Sequence, residues 1–137
     1  MEWTTIVTRL AVSVVIGGLI GLERELGGKP AGFRTITLVC LGSTIFMMIG
    51  AELAVAGSDL GRIIAGVVTG IGFLGAGAII RARGEVYGLT TAATIWLASG
   101  LGLAVGIGYY LLAIIASLFV LVVLRLLGIV EKALSKK

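Results

Sequence analysis

The sequence predicts an all-α integral membrane protein of five transmembrane helices, with the N-terminus outside and the C-terminus in the cytoplasm. Three observations carry that expectation. Hydrophobic residues make up 58% of the 137 residues and charged residues only 13%, where a soluble domain carries about 25% charged. Mean hydropathy is +1.16, more apolar than an aqueous surface tolerates. The apolar residues fall into five runs, approximately 3–22, 34–55, 62–80, 89–106 and 109–128, each close to the roughly 20 residues that cross a bilayer core. A single transmembrane domain over residues 1–137, with no soluble C-terminal domain, is the expected organisation.

The first run begins near Met1, where a cleaved signal peptide would begin. Its leading residues hold acidic Glu2 and no Lys or Arg before Arg9, so it reads as a retained helix. Arg9 lies about six residues inside, roughly 9 Å deep at 1.5 Å per residue. It either snorkels to the outer headgroups or pairs across helices with Glu52 or Asp59. The second run follows the charged connection "GLERELGGKPAGFRT" and contains Cys40, the single cysteine, which can form no intrachain disulfide. "SDLGR" opens the third run, with Asp59 as its N-cap and Arg62 one turn later on the same face.

The third run contains "TGIGFLGAG". Gly70, Gly72 and Gly75 match G-x-G-x-x-G, the spacing of a dinucleotide-binding turn, but that fingerprint needs a preceding strand and an acid about 20 residues later. These glycines lie inside an apolar run, and no acid occurs between Glu85 and Glu131. The match is coincidental, and no enzymatic activity and no nucleic-acid partner are expected. Two uses remain for Gly70, Gly72, Gly75 and Gly77. Small residues let helices approach until backbones touch, and Gly66 with Gly70, Gly17 with Gly21 and Gly102 with Gly106 all form small-xxx-small pairs. Alternatively the third helix is broken near Gly72 to Gly75, freeing carbonyls to line a cation path.

"GLTTAATIW" opens the fourth run, with Thr90 or Thr91 as N-cap and Thr94 extending a hydroxyl face. Trp96 falls about seven residues deep, away from the interfacial belt. It is read as a buried polar aromatic whose indole N–H seeks a carbonyl of the third helix. The fifth run ends in a tail bearing Lys132, Lys136 and Lys137.

Basic residues set the orientation. Arg24, Lys29 and Arg34 lie in one connection, Arg81 and Arg83 in the next but one, and three lysines in the tail, while the other face has Arg62. Positive charge inside places the tail in the cytoplasm. Trp3, Tyr109 and Tyr110 then share the outer interface, with Phe33 and Tyr87 at the inner one.

No Asp or Glu lies near the middle of any run, so a midplane carboxylate site for protons or metal is missing. The inner face is the candidate functional site. Glu23, Arg24, Glu25, Arg34, Thr35, Arg81, Thr90 and Thr91 form an expected charge and polar network there, with Glu23 pairing with Arg34 or Arg81. Arg9, Glu52, Asp59 and Arg62 mark the outer face. Five short helices do not bury every small-residue face, so a homodimer or higher homo-oligomer in the lipid bilayer is expected.

Four ordered motifs, "GGLIGLERE", "AGFRT", "TGIGFLGAGAI" and "GLTTAATIW", resemble the membrane domain of the MgtC/SapB family over nearly the whole chain. The resemblance implies a multi-pass protein of the bacterial inner membrane associated with magnesium homeostasis and, in virulent species, with growth inside host cells. It implies regulation of a membrane partner, with the F-type ATP synthase as the candidate. The alternative is a transporter or channel for Mg²⁺ or another cation, formed by an oligomer. Mg²⁺ is the one ligand the resemblance brings, and no residue set for it is evident. MgtC-type members continue into a soluble cytoplasmic domain after the fifth helix.

Overall fold

In a computed structural model the chain folds into five helices and one small hairpin. Residues 1–55, 57, 59–82 and 85–134 are described, those at 81, 82, 131 and 132 by backbone alone. The elements are α1 (Trp3–Leu26), α2 (Phe33–Val55), α3 (Leu60–Gly77), β1 (Ile80–Ala82), β2 (Glu85–Tyr87), α4 (Leu89–Ile107) and α5 (Tyr110–Leu134). All five helices are long and apolar enough to cross a membrane, so the chain is a multi-pass membrane protein.

The helices begin and end where local chemistry directs. α1 runs four residues past its apolar stretch, through "EREL", because helix ends are set by backbone hydrogen bonding rather than hydropathy. It stops at Gly28, whose φ of +63° is the left-handed turn that glycine takes without strain. The following N–H groups of Gly28 and Lys29 return to the carbonyls of Glu25 and Arg24, each at 3.0 Å. α3 starts at Asp59, whose carboxylate accepts the Gly61 N–H at 2.8 Å. That is the cap expected from "SDLGR".

α1, α2 and α4 form the central bundle, with α2 between the other two. Glycines make this possible. A Cβ on Gly17 would lie 2.8 Å from the Cβ of Cys40, and one on Gly21 would lie 2.8 Å from the Phe33 backbone. On the other side of α2, a Cβ on Gly102 would lie 2.2 Å from the Cys40 carbonyl and one on Gly106 2.5 Å from Met47 Cβ. Only hydrogen fits at these crossings. α3 packs along α4 and the edge of α2, and α5 along α4 and α1.

The hairpin pairs Ile80 with Tyr87, Arg81 with Val86 and Ala82 with Glu85. The sequence reading did not anticipate it. It forms where α3 has ended and two extended triplets meet in register. Tyr87 donates its hydroxyl to Glu85, and that bond raises the phenol pKa above its ordinary value.

Candidate functional site

Two long-range bonds hold the ends of the central bundle in register. At one end Arg24, 3% exposed, donates from Nη2 to the hydroxyl of Thr91 at 3.0 Å. At the other, Arg9 donates from Nη1 to the Gly106 carbonyl at 2.6 Å. Arg9 therefore does not pair with Glu52 or Asp59. It serves the C-terminal end of α4, where free carbonyls and the helix dipole attract a cation. Glu52 pairs with the N-terminal ammonium of Met1 at 2.8 Å, Asp59 caps α3, and Arg62 is exposed.

The Arg24 end carries the candidate site. Ser13, Gly17, Ile20 and Arg24 recur at helical spacing on one stripe of α1, and that stripe is buried. Arg24 thus turns inward while Glu25 turns out. Glu25 reaches across the turn and accepts the Phe33 N–H at 3.0 Å, which puts an anion on the first amide of α2. Gly32 leaves room for it, since a Cβ there would meet the Glu25 carboxylate at 1.8 Å. These contacts account for the spacing between "LERE" and "AGFRT".

Several expected members of the network are placed elsewhere. Arg34 and Thr35 are exposed, because Ile36 and Cys40 occupy the buried stripe of α2 and residues 34 and 35 project away from it. Glu23 forms no ion pair with Arg34, and its Oε2 is shielded from solvent with no hydrogen-bond partner among the described residues. The pairing of Glu23 with Arg81 falls on a side chain outside the described residues, as do Arg83, Lys132, Lys136 and Lys137. Thr90 and Thr91 do not cap α4. Gly88 occupies the N-cap with φ of +87° and passes so close to α3 that a Cβ would lie 2.0 Å from the Ala78 carbonyl. Thr91 is thereby freed to receive Arg24, and the Thr90 carbonyl accepts the Thr94 hydroxyl at 2.7 Å.

Trp96 is not buried. It is 51% exposed, because the buried face of α4 carries Thr94, Ile95, Ala98 and Gly102, and residue 96 lies about 200° around the helix from Ala98. Its indole N–H forms no hydrogen bond with a carbonyl of α3 among the described residues.

Helix α3 is continuous from Leu60 to Gly77, so the broken-helix alternative is overturned. Glycine costs helix stability without forbidding the helix. Of Gly70, Gly72, Gly75 and Gly77, only Gly75 meets a neighbour among the described residues, at 3.6 Å from the Ala92 carbonyl of α4. Cβ atoms on Gly66, Gly70, Gly72 and Gly77 would meet nothing within 4 Å among the described residues, so these four make no close helix crossing there. Gly66 and Gly70 instead line an apolar groove of about 720 Å³ between α2 and α3, with Thr35 and Gly42 on its other wall.

Mid-bundle hydroxyls are the feature the sequence reading missed. Thr44 Oγ1 shares its one proton among Ser13 Oγ at 2.9 Å, the Cys40 carbonyl at 3.0 Å and the Gly102 carbonyl at 2.9 Å. Ser13 in turn donates to Cys40 Sγ at 3.4 Å, and Ser43 and Ser99 share a bond of 2.8 Å. All are buried where α1, α2 and α4 cross. Their signal was one or two hydroxyls at mid-depth in each of three otherwise apolar runs, which in a membrane must find partners. Among the described residues, no three His, Cys, Asp or Glu side chains gather as a metal site.

Comparison with known proteins gives concordant results. The family model described as MgtC family matches residues 10–133. Protein SrpB of Synechococcus elongatus is 41% identical over 136 residues, covering 90% of this chain and 75% of that protein. The "Putative magnesium transporter YhiD" of Escherichia coli K12 is 41% identical over 126 residues, covering 87% of this chain and 59% of that protein. Protein MgtC of Salmonella typhimurium is 39% identical over 115 residues, covering 84% of this chain and 49% of that protein. The chain thus spans three quarters of the first relative and about half to three fifths of the other two. No solved structure matches it.

Proposed function

Because the chain belongs to the MgtC family, we propose that it is a regulator in magnesium homeostasis, acting in a bacterial inner membrane by docking its helices onto a membrane partner. The observation that carries this reading is the unbroken α3 with Gly66 and Gly70 open toward the α2–α3 groove. Glycines that a helix does not use within its own fold leave a smooth face on which another helix can lie close. The F-type ATP synthase is the partner that the family resemblance suggests. A homodimer, with the N-terminus outside and the Arg24 end cytoplasmic, belongs to the same proposal.

Transport is the second reading, and the name of the E. coli relative favours it. Mg²⁺ gives up its water reluctantly and takes oxygen ligands in octahedral array. Within one chain the bundle offers hydroxyls already bonded to one another, and the Gly102 crossing leaves no space for a hydrated ion. A conducting path would have to run between copies of the chain. A photo-reactive residue replacing Gly70, in cells limited for magnesium, discriminates between the two. Adducts with a membrane subunit of the ATP synthase support the regulator, and adducts confined to a second copy of this chain count against it.

A further inference from the structure

A second groove, of about 450 Å³, runs between the C-terminal parts of α1 and α5. We propose that it binds one phospholipid with a primary ammonium headgroup, of the phosphatidylethanolamine type. Leu22 and Leu26 of α1 and Leu118 and Leu126 of α5 make its walls, and two charges interrupt them, Glu23 on one side and Arg125 on the other. The two charges form no ion pair with each other, and Glu23 Oε2 has no hydrogen-bond partner among the described residues.

A carboxylate oxygen shielded among leucines without a hydrogen bond is costly even with the Arg24 charge nearby, and so is a guanidinium left in an apolar zone. Both costs fall if one molecule brings a cation to Glu23 and an anion to Arg125. An ethanolamine phospholipid does so, with the ammonium donating to the Glu23 carboxylate, the phosphate accepting from Arg125, and an acyl chain along the leucines. A phosphatidylglycerol supplies the phosphate and neutral hydroxyls, but no cation for Glu23. A phosphatidylcholine has no N–H to donate. The depth also fits, because Glu23 lies three residues before the end of α1, about 5 Å along the axis, and Arg125 can extend toward the headgroups from there. This inference stands apart from the regulator proposal, because neither the α2–α3 groove nor a partner enters it.

Native mass spectrometry of the full chain, released from nanodiscs of equal phosphatidylethanolamine, phosphatidylcholine and phosphatidylglycerol, tests it. The expected result is one retained lipid per chain, predominantly phosphatidylethanolamine. Glu23→Gln should reduce its preference over phosphatidylcholine about tenfold, the loss expected of one charge-assisted hydrogen bond. Arg125→Gln should reduce retention of all three lipids. Leu126→Trp, which fills the groove and leaves both charges in place, should release the lipid while the helical circular dichroism is unchanged. Equal retention of the three lipids by the wild type, or an unchanged preference in Glu23→Gln, overturns the proposal.

Discussion

Replacing Gly102 by Ala places a methyl carbon 2.2 Å from the Cys40 carbonyl oxygen and 2.9 Å from Ser43 Cβ. A C···O approach of about 3.3 Å is tolerated between packed backbones, so α4 and α2 must separate by roughly 1 Å. Overpacking of that kind costs about 1–3 kcal/mol. The separation also weakens the 2.9 Å bond from Thr44 to the Gly102 carbonyl, for a further loss of about 0.5–1.5 kcal/mol. Alanine returns at most about 1 kcal/mol of helix propensity, leaving a net destabilisation of about 0.5–3.5 kcal/mol. Gly70→Ala is the matched control, since its new methyl meets nothing within 4 Å. It should be neutral, or stabilising by up to about 1 kcal/mol. Reversible unfolding in mixed micelles titrated with SDS, followed by far-UV circular dichroism, reads both. Equal stability of the two variants, or greater damage from Gly70→Ala, would refute the assignment of which glycines the fold uses.

Thr91→Val removes the hydroxyl that receives Arg24 and should cost about 1–3 kcal/mol in the same titration, while adding Arg24→Met should recover part of that loss, since no buried guanidinium is then left without its acceptor. Arg9→Met withdraws the cation from the end of α4 and should cost about 1–2 kcal/mol, with faster amide exchange over residues 104–107. Asp59→Ala removes the α3 cap, for a loss of about 1 kcal/mol, and should speed exchange in the first turn of α3 without altering α4. Thr44→Val leaves the Gly102 carbonyl without its side-chain donor and should destabilise by about 1–2 kcal/mol, whereas Thr35→Val, on the exposed side of α2, should leave stability within about 0.5 kcal/mol of the wild type.

Hydropathy made the five spans legible, because a helix that faces lipid must be apolar over its whole length. It could not locate Arg24. Within "ERE" the average is the same whichever residue turns inward, and only the stripe through Ser13, Gly17 and Ile20 identifies it. The glycine pairs show a similar limit. Gly17 with Gly21, Gly102 with Gly106 and Gly66 with Gly70 have one spacing, yet the first two lie at crossings with α2 and the third opens on a groove. Which neighbour a helix meets is a property of the assembled bundle, not of the spacing. Trp96 was misread for the same reason, since depth along the span was taken as burial without regard to its side of α4. The Asp59 cap, by contrast, is local chemistry, and the residues alone identified it.

The regulator reading is tested most directly by Mg²⁺ uptake into proteoliposomes containing only this protein, measured with an entrapped magnesium indicator under an inward gradient and a negative interior potential. The account predicts uptake no faster than in protein-free vesicles, at protein densities that permit oligomers. Saturable, protein-dependent uptake would contradict it, and would move the function to a path between copies of the chain.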